Sequence, residues 1–213
     1  LEYLSREGES AYDRIICLGD ILAGHGGNAK VMVLLDQYKV ELVQGNHDGR
    51  YIPWDIIHER HLPLLKCMTE WEDEYIDPFT RNRLDALPVT LSIPLEDGRT
   101  LLAFHSDPAD LWGMANADFV TEEKLHQVYG DVPGDVFVYG HYHKNHILQW
   151  NGKLLINPGS ISGTVSYYPD MFARLTTMTS LADRLVIRHE AVAYDVDAQE
   201  KMDKETNAPF WQF

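Results

Sequence analysis

Cysteine is scarce in this chain: Cys17 and Cys67 are its two, far apart and outside any metal-type pair. That excludes a disulfide scaffold and a thiolate zinc site, and it points to a reducing compartment, the cytoplasm. No apolar run approaches the ~20 residues of a membrane span. The opening residues "LEYLSREGES" are polar and mixed in charge, with no secretory pattern. Basic residues are also few. Lys and Arg number 18 against 33 Asp and Glu, for a formal net charge of -15. A basic face that would hold duplex nucleic acid is therefore not expected. If a phosphate group is to be bound, something other than Lys and Arg must supply positive charge, and a bound metal is the obvious source.

What is present is an ordinary globular composition, 45 % hydrophobic over 213 residues, enough for one domain with a substantial core. "LEYLSREGE" reads as the end of an amphipathic helix stopping at Gly8. "RIICLGD" (14–20) reads as a buried strand, "NAKVMVLLDQY" (28–38) as a helix with Asn28 as candidate cap, and "VELV" (40–43) as a second strand. Helix, strand, helix, strand predicts a parallel sheet with right-handed crossovers. Residues 51–88 mix aromatics, acids and Pro and read as short helices covering one side. "VTLSIPL" and "RTLLAFH" flank a turn, and "TEEKLHQVY" (121–129) is a helix capped by Thr121. "DVFVYGH" is another buried strand. "HILQW-NG-KLLIN" is a hairpin with an Asn-Gly turn, "FARLTTM" and "RLVIRHEAV" pair antiparallel, and "DVDAQEKMDKE" is a surface helix.

Polar residues recur where the strands stop. One strand ends in Asp20, the next in Asn46, His47 and Asp48, a third in His105, and a fourth in His141 and His143. In open α/β sheets, ligands sit beyond the carboxyl ends of strands. Carboxylate, amide and imidazole groups delivered to one edge suit transition metals such as Mn, Fe or Zn. His141 and His143 alternate and so are expected on one face of an extended segment. His58, His61, His126, His146 and His189, and the rings of Trp54, Trp71 and Trp112, are read as ordinary surface or core residues.

The series "GD" after a strand, then "GNHD", a strand-end His, and "GHYH", with "LLINPGSIS" (154–162) beyond, resembles the calcineurin-like metallophosphoesterases, most of all the small prokaryotic phosphodiesterases and phosphatases. The resemblance runs from about residue 14 to 162. It implies a four-layer αββα sandwich of two stacked mixed sheets flanked by helices, as a single domain over residues 1–213. It implies two divalent transition metals, Mn before Fe or Zn, that lower the pKa of a shared water ~3.5–4 Å apart. A phosphate mono- or diester would be hydrolysed by a metal-bridging hydroxide. Asp20 would bridge the metals. Asn46, His105 and His141 would complete one shell, and His143 would serve the other metal. His47 would protonate the leaving oxygen, with Asp48 holding its imidazole in the right tautomer. Arg50 and His25 are candidates for contact with the substrate phosphate. The substrate would be small and phosphorylated, a nucleotide or cyclic nucleotide among the options. The stretch 106–119 and the helices of 51–88 would shape its pocket.

The family pattern also opens with a strand carrying Asp-x-His, which this sequence does not contain. The expectation is that this strand and the start of the first helix lie upstream of Leu1. Some eukaryotic trafficking proteins share the family's look yet serve as interaction scaffolds with a depleted metal centre, and that alternative stays open here. The intact ligand set downstream of residue 13 favours the enzyme.

Overall fold

The computed structural model describes residues 11–22, 24–113, 121–162 and 172–209. The proposed helix at 1–8 and the part of the pocket stretch at 114–119 lie outside them. Strands β1 (Ile16–Cys17) and β2 (Glu41–Leu42) pair in parallel, joined by helix α1 (Asn28–Gln37). Asn28 is the first residue of that helix, not its cap. Gly27 takes the cap position with φ 93°, a left-handed conformation open to a residue without Cβ. The mixed stretch that follows forms α2 (Leu62–Tyr75) and α3 (Pro78–Asp85). Asp77 starts α3 by accepting from the amides of Phe79 and Thr80, and Pro78 fills the first turn.

A five-stranded sheet follows, made of β3 (Thr90–Pro94), β4 (Thr100–Phe104), β5 (Val136–Tyr139), β6 (His146–Trp150) and β7 (Lys153–Asn157), in the order β3-β4-β5-β7-β6. Its three central strands are parallel and both edges antiparallel. Helix α4 (Glu122–Tyr129) crosses between β4 and β5, and the Thr121 hydroxyl caps it by accepting from the Lys124 amide. Asn151 and Gly152 turn the β6–β7 hairpin with φ 47° and 74°, the paired positive values of a type I′ turn. A second hairpin, β8 (Ala173–Leu181) and β9 (Arg184–Val192), precedes α5 (Val196–Glu205).

Side-chain alternation builds the layers. Leu102, Phe104, Phe137, Tyr139 and Leu155 leave one face of the large sheet and pack with Leu125 and Tyr129 of α4. Leu101, Ala103, Val136, Val138 and Ile156 leave the other and meet Ile16, Leu18, Met178, Leu185 and Ile187, which come from β1, its extension, and the β8–β9 hairpin. Behind that second β-layer, Cys17 and Leu42 pack against Met32, Leu35 and Leu84 of α1 and α3. This is the four-layer order expected, with the second β-layer in two separate pairs. Each fully buried Leu or Phe in these faces contributes roughly 1.5–3 kcal/mol. Among the described residues, no helix is long and apolar enough to cross a membrane.

Candidate metal centre

Strand β1 runs parallel to β2 and β4 to β5, and the residues that follow their carboxyl ends reach one edge. There the loops after β1 and β2 touch. A Cβ on Gly45 would lie 2.2 Å from the Asp20 amide nitrogen and 2.3 Å from its Oδ1, and one on Gly19 would lie 2.5 Å from the Gly45 nitrogen. Only two glycines let the backbones approach this closely. Asp20, His141 and His143 all hold left-handed backbone, with φ 54°, 64° and 57°. For residues with a Cβ this costs roughly 1–2 kcal/mol each, a concentration of strain of the kind found at functional sites. It also corrects the expectation that His141 and His143 lie along an extended segment: the chain turns at both.

Four side chains from four strand ends meet. Asp20 Oδ2 lies 3.2 Å from His105 Nε2. Asn46 Oδ1 lies 2.9 Å from both His105 Nε2 and His141 Nδ1, which are 3.2 Å from each other. The two imidazoles meet edge to face at 81°. His105 and Asn46 are buried. His105 Nδ1 is 2.6 Å from the Leu18 carbonyl, a pure acceptor, so it carries the hydrogen and leaves Nε2 as the inward lone pair. Burial is the largest influence on His105 and works against its protonation, but the charge and hydrogen bond of Asp20, the Leu18 carbonyl and the Asp48 charge together outweigh it and raise its pKa. Burial holds His141 down at about 3, helped by its neighbour His105. Burial alone would raise the Asp20 carboxyl, yet His105 and His47 draw it well below the usual carboxylate range. An ionised carboxylate, an amide oxygen and two imidazole nitrogens thus crowd one point with few protons to share. A divalent cation would satisfy all of them, and a mixed N/O set of this kind is compatible with Mn, Fe or Zn. Asp20, His105 and His141 offer ligand atoms within 4.8 Å of one another. His143 is outside that group, though it feels the same carboxylate: burial lowers its pKa and the Asp20 charge opposes.

Asp48 behaves differently from expectation. It does not hold His47. Its Oδ2 accepts from the amides of Asp20 at 2.9 Å and Gly45 at 2.8 Å, and its Oδ1 from Ile21 at 2.8 Å. It ties the β1 loop to the β2 loop. The His47 amide adds a further tie, donating to Asp20 Oδ1 at 3.0 Å. The His47 ring meets the edge of Trp112 with centroids 5.6 Å apart, and burial lowers its pKa. Trp112, expected as an ordinary surface or core residue, thus stands beside the candidate site, and its indole N–H donates to the Tyr51 carbonyl.

Arg50 lines a cavity beside Asn46 and His47 but is paired with Asp85. His25 turns away from that role, with Nδ1 2.9 Å from Asp203 Oδ2 of α5. Two further residues carry no motif and were missed. Arg81 is buried, donates to the Asp48 carbonyl at 3.2 Å, and pairs with buried Glu72 at 3.0 Å. The only signal in the sequence was an Arg and a Glu inside otherwise amphipathic helices.

Among curated proteins no sequence matches this chain. The sequence does match the calcineurin-like phosphoesterase superfamily domain over residues 2–180. In structure the chain is similar to a hypothetical protein from Pyrococcus horikoshii OT3, with TM-score 0.76 at 15 % identity over 99 % of this chain and 88 % of that one. It is similar to a metallophosphoesterase from Sphaerobacter thermophilus, with TM-score 0.63 at 16 % identity over 94 % and 86 %. A wild-type Vps29 from Entamoeba histolytica, complexed with zinc, gives TM-score 0.51 at 16 % identity over 90 % and 87 %. At such identities the likeness is one of fold.

Proposed function

The chain belongs to the calcineurin-like phosphoesterase superfamily, and from that premise we propose that it is a metal-dependent phosphoesterase acting on a phosphate mono- or diester. The observation that carries the reading is the convergence of Asp20, Asn46, His105 and His141 on one point with their lone pairs inward. These four would hold one divalent metal, manganese first, and Asp20 with His143 would contribute to a second. When bound, such metals supply a Lewis acid for the phosphoryl oxygens and a water acidic enough to attack near neutral pH. The chain's acidic balance, 18 Lys and Arg against 33 Asp and Glu, leaves few basic side chains to supply that charge instead.

The remaining work falls to the chain's own groups. Asp48 clamps the two loops so that Asp20 and Asn46 keep their spacing. His47 stands beside the cluster and outside it. A phosphate arriving there places negative charge next to the imidazole, which opposes the effect of burial and favours its protonated form. That proton is then available to the leaving oxygen. Two free cysteines support a reducing compartment, the cytoplasm.

The test is hydrolysis of p-nitrophenyl phosphate and of its bis ester, with Mn, Fe(II) or Zn added to the full chain. The expected result is metal-dependent turnover that Asp20→Ala abolishes. Turnover that survives both chelation and Asp20→Ala would overturn the reading, as would none with any of the three metals.

A further inference from the structure

Beside Asn46 and His47 opens a cavity of about 250 Å3. Leu65, Met68, Thr69 and Glu72 line it from α2. Their spacing of three, four and seven puts them on one face of that helix. Ile52 closes another side, and Arg81 reaches in from α3. One wall is thus apolar and the other is a buried ion pair, Glu72 with Arg81, whose side chains are 10 % and 7 % exposed. Such a pair loses in desolvation about what it gains in attraction, so apolar packing would serve stability as well. Its position in a cavity wall, one contact from Asp48, points to a ligand.

We propose that this cavity receives the organic group of the phosphate ester and selects a neutral or cationic group bearing hydrogen-bond donors. The inference rests on the phosphoesterase reading and adds a substrate class to it. Its cations are spoken for: Arg81 is neutralised by Glu72, and Arg50 by Asp85. Among the described residues, no unpaired Lys or Arg lines the cavity to receive a second phosphate or a carboxylate. The acceptors, by contrast, have capacity left. Arg81 engages Oε2 of Glu72, leaving Oε1 for a ligand. The Thr69 hydroxyl spends its hydrogen on the Leu65 carbonyl and keeps its lone pairs. Asp73 stands exposed at the rim and adds negative charge. Ile52, Leu65 and Met68 meet the hydrocarbon part of the same group. A diphosphate or an acidic alcohol would be rejected.

O-phosphotyramine and 4-ethylphenyl phosphate share a ring, a two-carbon arm and a scissile bond and differ in one ammonium group. The wild-type chain, loaded with Mn and assayed at pH 8, where the Glu72 carboxyl is ionised, is expected to have the higher kcat/KM for O-phosphotyramine. Glu72→Gln, which keeps the hydrogen bond to Arg81, is expected to lower the ratio of the two kcat/KM values ~tenfold, the scale of one charge-assisted hydrogen bond. Asp73→Asn, on the exposed rim where folding is not at stake, is expected to lower it less. A ratio that neither variant moves overturns the proposal. Calorimetric binding of tyramine alone separates this inference from the one beneath it. If neither phosphate is hydrolysed with any metal, the phosphoesterase reading fails. Tyramine binding weakened by Glu72→Gln then still upholds the cavity, and no tyramine binding overturns it.

Discussion

Replacing Gly45 by Ala adds one methyl group at the closest backbone approach near the candidate metal centre. That methyl would sit 2.2 Å from the Asp20 nitrogen, whereas Cβ atoms essentially never come within 3.0 Å of another heavy atom. The β1 and β2 loops must therefore part by at least ~0.8 Å, well outside the ~0.2 Å tolerance of metal–ligand distances. Overpacking of this kind costs roughly 1–3 kcal/mol, which in a chain of this size lowers Tm by roughly 3–10 °C. Gly98→Ala is the matched control. Its φ is 82° and its Cβ would meet nothing within 4 Å, so it suffers only the left-handed penalty of about 1–2 kcal/mol. The two variants should lose similar stability, by thermal melts followed in circular dichroism. Only Gly45→Ala should lose metal affinity, by on the order of 10–100-fold, the scale seen when ligand support is disturbed. Titration with Mn read by elemental analysis after gel filtration decides it. A Gly45→Ala chain that binds metal as Gly98→Ala does would refute the account of the two loops.

His47→Ala should cut the rate of ester hydrolysis by ~10²–10⁴-fold while metal content stays near that of the parent, since the ring stands outside the cluster; loss of metal in this variant would make His47 a ligand instead. Glu72 gives a pH prediction. Burial pushes its carboxyl from 4.5 up to about 7, with Asp48 and Asp20 adding and Arg81 opposing. The folded chain keeps a proton there that the unfolded chain releases at lower pH, so stability falls as pH rises from about 4.5 to about 7, by roughly 3 kcal/mol at most. Glu72→Gln should flatten that slope in urea unfolding across the window, and parallel slopes for the two chains would count against it.

The parts of the fold with a period were legible. The alternation of Leu101 to Phe104 and Val136 to Tyr139, the Asn-Gly turn at 151–152 and the Thr121 cap each follow from local chemistry. The polar strand ends were legible too, because a carboxylate or imidazole cannot continue a buried strand. What the sequence hid was the pairing between distant segments. Nothing in "GNHD" says whether Asp48 serves His47 beside it or the amides of Asp20 and Ile21, 28 and 27 residues away. Nothing in "RNR" marks Arg81 as a partner of Glu72. The backbone at His141 and His143 was misread because strict alternation of two residues looks the same in a strand and in consecutive left-handed turns.

The grip of α5 on the loop after Asp20 has a consequence for synthesis. Asp203 holds the Gly26 amide at 2.8 Å and His25 at 2.9 Å, and the Thr206 carbonyl accepts from the Trp71 indole at 2.7 Å. Gly26 and Asp203 are 177 positions apart. At the ~5–20 residues per second of translation, the loop waits roughly 10–35 s for its clasp. The strands that carry Asp20, Asn46, His105 and His141 are all made before it. His141, the last of them, is made 62 positions before Asp203, so for roughly 3–12 s the four side chains coexist with the loop unclasped; on the proposed reading, an ion captured then would be chosen by what the cell offers a half-made chain as well as by the finished chain's preference.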